Sequence, residues 1–170
     1  MTHFAALGRS ILYQQLATAA ARTIHGRVCA LGEGERFPTA TQLLALPDKK
    51  LAGAGVSGPK RLALRDLAER VEDGRLSLRS IGRCSDQAII DRLVTVRGIG
   101  VWSAQMFLMF RLGRLDVMPT GDLGIQEGVR QLDDLDERPT PKEVLARSEC
   151  WAPLRSVAAW TLWRLADEGR

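Results

Sequence analysis

Cysteine is scarce in this chain. It occurs three times in 170 residues, at Cys29, Cys84 and Cys150, widely spaced and never as a C-x-x-C pair. That argues against a zinc site and against a disulfide framework, and predicts reduced, mostly buried thiols in a cytoplasmic protein. Lysine is nearly as rare: Lys49, Lys50, Lys60 and Lys142 are the only ones, and arginine supplies the remaining positive charge. Genomic base composition alone can produce that skew. Strand-like alternation of apolar and polar residues holds nowhere, and no internal repeat is visible, so a sheet and a solenoid are both disfavoured. No apolar run reaches the ~20 residues a membrane span needs, and no secretory leader precedes the first helical pattern.

What is present suits an ordinary globular chain. Hydrophobic residues make up 45%, enough for one domain, or for two small lobes sharing a core. A formal net charge of +4 is a mild basic bias, compatible with nucleic acid without being specific to it.

The pattern is helical almost throughout. "FAALGRSILYQQLATAAARTIHGRV" has apolar residues at helical spacing, a dense alanine stretch and few β-branched residues, which predicts one long first helix. "GEGERFPT" breaks it. Thr39 caps a short helix through Leu46, and Pro47-Asp48 opens another. Pro59 fits the first turn of a helix to about Val71, closed by Gly74. Ser85 caps a helix from Asp86 to about Thr95. Further helices are predicted at about Val101–Leu112, after the turn Pro119-Thr120-Gly121-Asp122 to about Leu132, near Pro141–Glu149 and near Pro153–Asp167. The fold class is therefore all-α, with many short helices and short loops.

One stretch stands out: "LVTVRGIGVWSAQMFLMF", Leu93 to Phe110. Glycine tolerates positive φ and close backbone approach, so Gly98 and Gly100 suit a tight turn between two helices. Ile99 between them can point inward and pin the turn to the core. The second helix then begins with outward amides, an arrangement that binds phosphate. The plain alternative is an ordinary αα-hairpin that touches nothing.

The hairpin has company. Upstream lies "SILYQQLATAAA", then "GVSGPKRLALRDLAERVEDGRLSL"; downstream lies "LGRLDVMPTGDLGIQEGV", and the chain closes on "WAPLRSVAAWTLWRL". In this order and spacing the chain resembles the helix-hairpin-helix DNA glycosylase superfamily, and within it the 3-methyladenine DNA glycosylase II branch that removes alkylated purines. The resemblance runs from about Phe4 to Trp163. It implies a two-lobed helical fold with a cleft between the lobes, a single glycosylase domain over residues 1–170 with its hairpin at about 93–112, and double-stranded DNA with a damaged base as the partner. No obligate protein partner and no membrane association are implied, and a nucleoid-associated location if the source is bacterial. Relatives usually begin further upstream, so the N-terminus looks short.

Carried over residue by residue, the resemblance assigns roles. Arg97, Gly98, Ile99, Gly100 and Val101 form the hairpin that grips the phosphate backbone. The carbonyls of Val94, Val96 and Ile99 match positions that hold a monovalent cation in relatives. Asp122 matches the catalytic aspartate; read on its own it is a helix N-cap. Asp116 matches a structural position. Trp102 stands where strand-nicking relatives carry a Schiff-base lysine, and no lysine lies between Arg61 and Pro141, which predicts a monofunctional enzyme. Trp102 and Trp163 match base-pocket aromatics, whereas Trp151 and Trp160 read as core. Tyr13 either lines that pocket or packs. Gln15 matches the side chain that fills the gap left by a flipped base; its plain alternative is a solvated helix face. Ser57 and Lys60 match a loop-to-helix motif, for phosphate contact or for capping. Cys150 stands alone where iron–sulfur relatives cluster four cysteines, so no cluster is expected and no cofactor is required.

The expected function is hydrolysis of the N-glycosidic bond of alkylated purines in base excision repair. The alternatives are a glycosylase for uracil, deaminated or etheno bases, a non-catalytic DNA-binding hairpin module, and a helical protein-interaction domain.

Overall fold

The computed structural model describes residues 1–169. Among them, ten α-helices and three short 3-10 turns account for the regular structure, with no strand. The all-α expectation holds, and no helix is long and apolar enough to cross a membrane. The chain forms two compact units, Met1–Ala104 and Gln105–Arg170.

The first unit holds α1 (His3–Tyr13), α2 (Thr18–Cys29), α3 (Ala40–Ala45), α4 (Asp48–Gly53), α5 (Gly58–Glu72), α6 (Asp86–Leu93) and the start of α7 (Val101–Leu112). α5 is its hub, packed by α1, α3 and α4. Its buried face carries Ala63, Leu64, Leu67 and Ala68, at helical spacing, and meets Leu7, Ile11 and Leu12 of the similarly periodic α1 in one core with Leu43 and Leu51. Each fully buried leucine contributes about 1.5–3 kcal/mol. Surface ion pairs such as Arg61–Asp48 contribute less, about 0–1 kcal/mol each, so apolar burial holds this unit.

The helix ends follow local chemistry. Thr39 and Gln42 close a reciprocal capping box on α3, and the Ser85 hydroxyl accepts from the Ala88 amide at the head of α6. Arg65 reaches back from α5 to donate to the last carbonyls of α3, including Leu46 O at 2.6 Å.

The second unit holds the rest of α7, then α8 (Leu123–Leu132), α9 (Pro141–Arg147) and α10 (Arg155–Glu168). α8 packs closely on α10, and Gly128 permits it: a Cβ there would run into the Leu162 carbonyl. α10 buries Ser156, Ala159, Leu162 and Ala166. Its N-terminus is tied down by Arg155, which donates to both oxygens of Asp116 at 2.6 and 2.7 Å; these bonds hold the Asp116 carboxyl below the usual carboxylate range. Asp116 is structural, as expected.

Three expectations are corrected. The first helix is two, because the chain breaks between Tyr13 and Thr18. Lys60 takes the carbonyls of Leu12 and Gln14 that a continuing helix would use, and Gln15 turns left-handed at φ 54°. Trp160 is not core but 55% exposed, one position off the buried stripe of α10, and Trp151 is half-buried beneath the Arg147 guanidinium. The thiols are not mostly buried: Cys29 and Cys84 are half-buried and Cys150 is exposed. Burial nonetheless pushes the Cys29 thiol up.

Candidate active site and nucleic-acid interface

The hairpin lies in the first unit, between α6 and α7. Gly98 sits at φ 77°, the left-handed conformation that favours glycine, with Ala63 of α5 packed where a side chain would begin to crowd. Ile99 points into the core, 4% exposed, and its amide donates to the Val96 carbonyl at 3.1 Å. Arg97, Gly98 and Gly100 are exposed, as are Val94, Val101 and Trp102, the last at 47%. Space beside Gly100 is open. The turn therefore has Ile99 turned inward to hold it, between the exposed residues Arg97 and Gly98 on one side and Gly100 to Trp102 on the other.

Two polar side chains fix that turn to the rest of the unit. Asp66 of α5 accepts the Arg97 amide at 2.7 Å while paired with Arg70 at 2.9 Å. Burial pushes its carboxyl up, but the Arg97 amide and the Arg70 guanidinium outweigh it and hold it below the usual range. From the other side, Gln14 donates its Nε2 to the Gly98 carbonyl at 2.8 Å and to the Ser103 hydroxyl at 3.3 Å. The break after α1 and the hairpin are thus one hydrogen-bonded assembly.

Lys60 completes it. Its Nζ donates to the carbonyls of Leu12 and Gln14, both at 2.7 Å, and burial pushes the ammonium down. The lysine holds the turn that displays Gln15, whose side chain is exposed. Ser57 stands at the N-cap position of α5, exposed and without a side-chain cap bond. Tyr13, at the end of α1, is half-buried, with the Arg9 guanidinium 4.3 Å above its ring and His25 at its edge. Burial, and then Arg9, push the His25 imidazole down.

The second unit brings Asp122 and Trp163 together. Pro119–Gly121 turns the chain, and Asp122 caps α8: its Oδ1 accepts the Ile125 amide at 3.0 Å. The same oxygen accepts the Trp163 indole Nε1–H at 2.9 Å, from α10. Both residues are half-buried, and Phe110 of α7 stacks on the indole at 6.0 Å between ring centres. Asp122 is an N-cap, as its isolated sequence context suggests, and it is also bound to the aromatic that the family resemblance singled out.

The fold is one that known proteins share. Residues 9–153 match the sequence profile described as HhH-GPD superfamily base excision DNA repair protein. The chain belongs to this superfamily. It is 37% identical over 163 residues to DNA-3-methyladenine glycosylase 1 of Schizosaccharomyces pombe, covering 94% of this chain and 72% of that protein. It is 32% identical over 201 residues to DNA-3-methyladenine glycosylase of Saccharomyces cerevisiae, covering 97% and 67%. Among solved structures, the DNA-3-methyladenine glycosidase of Bacillus halodurans matches at a TM-score of 0.88 and 39% identity, over 98% of this chain and 76% of that one. The S. pombe 3-methyladenine DNA glycosylase, in complex with abasic DNA, matches at 0.84 and 36%, over 95% and 79%. Across four curated relatives the chain spans 56% to 75% of their length.

For an HhH-GPD protein, the residues that sequence reasoning missed are those that hold the others. Gln14 was overshadowed by its neighbour Gln15; the doubled glutamine signals that one of the pair faces inward. Asp66 reads as a solvated helix-face partner of Arg70, and nothing in the sequence announces its bond to Arg97. Lys60 was singled out, but its carbonyl partners lie 48 and 46 residues away. Among the described residues no cluster of three or more His, Cys, Asp or Glu is placed to hold a metal.

Proposed function

We propose that this chain is a monofunctional DNA glycosylase that hydrolyses the N-glycosidic bond of alkylated purines such as 3-methyladenine in double-stranded DNA. The observation that carries the reading is Asp122 at the head of α8, its carboxylate fixed by the Ile125 amide and the Trp163 indole. The S. pombe relative solved with abasic DNA supports it, since abasic DNA is the product of such a reaction.

The chemistry asks little of the protein. An alkylated purine carries positive charge and already leaves readily. As the C1′–N bond breaks, its electrons neutralise the departing base and positive charge builds on the sugar ring, as in glycoside hydrolysis. A preorganised carboxylate at Asp122 stabilises that charge and orients the water that attacks C1′; the water's proton passes to the carboxylate or to solvent. The products are the free base and an abasic sugar in an uncut strand. Trp102 and Trp163 each match a base-pocket aromatic of the family, and a flat aromatic face offers a cationic purine roughly 0.5–2 kcal/mol of cation–π attraction. Tyr13 is a further candidate for that role.

DNA is held by backbone. The amides of Gly98, Gly100 and Val101, with Arg97 beside them, meet the phosphates, while the Ile99 amide is spent inside the turn on the Val96 carbonyl; Ser57 and Lys60 match the family's separate loop-to-helix motif. The carbonyls of Val94, Val96 and Ile99 lie on this one turn; hard oxygen donors suit a monovalent cation, and the Val96 oxygen keeps a second lone pair after accepting the Ile99 amide. A cation there would stiffen the loop. Gln15, on its left-handed turn, fills the space of the extruded nucleotide. Without a lysine between Arg61 and Pro141, no amine is available in this stretch for a Schiff base, so the strand stays intact.

The cap alone also accounts for Asp122 structurally, which keeps a non-catalytic DNA-binding module as the second reading. Chromatography of bases released from alkylated duplex DNA separates the two, and a panel with uracil, hypoxanthine and ethenoadenine substrates separates lesion classes. Release of methylated purines supports the proposal; tight DNA binding with no base released from any substrate contradicts it.

A further inference from the structure

We propose that Gly124 is a positioning residue for the reaction, one whose missing side chain lets the Trp163 indole lie across the first turn of α8 and bind Asp122. The inference rests on the glycosylase reading above. Gly124 stands second in α8, where its backbone conformation does not need glycine: it is absent from the positive-φ positions of the chain. Within a helix glycine is less favourable than alanine, so its presence calls for a reason of space. A Cβ at Gly124 would stand 2.9 Å from Trp163 Cδ1, 3.3 Å from Trp163 Nε1 and 3.1 Å from Asp122 Oδ1. The first distance is shorter than real Cβ contacts tolerate. Both partners of the 2.9 Å indole–carboxylate bond border that space, so the bond between them is what gives way.

Phe110 stacks on the indole from α7, and the backbone that carries the indole is held in place, because the neighbouring Leu162 is packed against Gly128 one turn further along α8. The two glycines therefore do different jobs on one helix face. Gly128 lets the α8 and α10 backbones approach. Gly124 admits a single aromatic ring and thereby fixes how the catalytic carboxylate is aimed. With the indole displaced, Asp122 keeps its cap bond to Ile125 but loses its second donor, and its preorganisation weakens.

The test uses the full chain in four forms: wild type, Gly124→Ala, Trp163→Phe and the double variant. Single-turnover release of 3-methyladenine, duplex affinity and the indole ¹⁵N–¹H resonance of Trp163 are measured. We expect Gly124→Ala to slow base release roughly ten- to hundredfold while DNA affinity stays within about twofold, as for a small misplacement of a reacting group. The Trp163 indole resonance shifts, and in the Trp163→Phe background, which has no N–H to donate, the added alanine costs less than about twofold. A folded Gly124→Ala protein with wild-type release and an unmoved resonance would overturn the inference, as would an equal loss in both backgrounds. If the wild type releases no base, the glycosylase reading is what fails, and the indole resonance alone decides whether Gly124 sets the Trp163–Asp122 bond.

Discussion

Replacing Asp122 separates its two jobs. Asparagine keeps an oxygen that accepts both the Ile125 amide and the Trp163 indole, and it ranks beside aspartate as an N-cap. The charge at the helix N-terminus is lost, a cost of about 0.3–1 kcal/mol. Alanine removes both bonds: about 1 kcal/mol for the cap and about 1 kcal/mol for the indole donor left without its acceptor. A total near 2 kcal/mol corresponds to roughly 4–8 °C in melting temperature for a chain of this size. Both variants lose the charge that stabilises the sugar, so both should release base about 10²–10³-fold more slowly, the loss seen when one preorganised electrostatic group is removed. The assay is single-turnover base release beside thermal unfolding. The expected pattern is two inactive variants, of which only Asp122→Ala is markedly destabilised. An Asp122→Asn protein that excises at the wild-type rate would refute the reasoning, because then only the cap matters.

Three more predictions bear on the supporting structure. Lys60→Met leaves the Leu12 and Gln14 carbonyls without their donor; it should cost about 1–3 kcal/mol and speed amide exchange over residues 14–17, weakening DNA binding through Gln15. Gly98→Ala forces a side chain into φ 77° against Ala63, with an expected cost of about 1–2 kcal/mol; duplex affinity should fall, and its dependence on salt should flatten. Glu127, bound by Arg130, Arg138 and Gln131, has its carboxyl held far below the usual range. A depressed folded value means its contribution is complete above the unfolded value, about 4.3, and is lost as pH falls further. The stability gap between wild type and Glu127→Gln, read by thermal unfolding, should therefore narrow between pH 7 and pH 3.

Much of the fold is written locally. Thr39 with Gln42, Ser85 and Asp122 mark helix starts with side chains that bond within a few residues, and Pro59 marks one by its fixed φ, so they can be read from sequence. The break after Tyr13 cannot: the 13–18 stretch is a fair helix by propensity, and a lysine 46 to 48 residues away takes its carbonyls. Trp160 was misjudged for a related reason. An aromatic on an apolar-looking helix is usually core, but α10 turns Ser156, Ala159, Leu162 and Ala166 inward, and Trp160, one position off that stripe, is left outside. At the candidate site, Asp122 and Trp163 are visible through family resemblance, whereas the bond joining them, and the glycine that makes room for it, depend on packing between two residues 41 apart in sequence.

The central claim is most directly tested on a duplex carrying one 3-methyladenine and a labelled strand. After incubation with the wild-type protein, the account predicts free 3-methyladenine and a full-length strand that breaks only on treatment with alkali. A duplex that is bound but loses its base no faster than the same duplex without protein would contradict it.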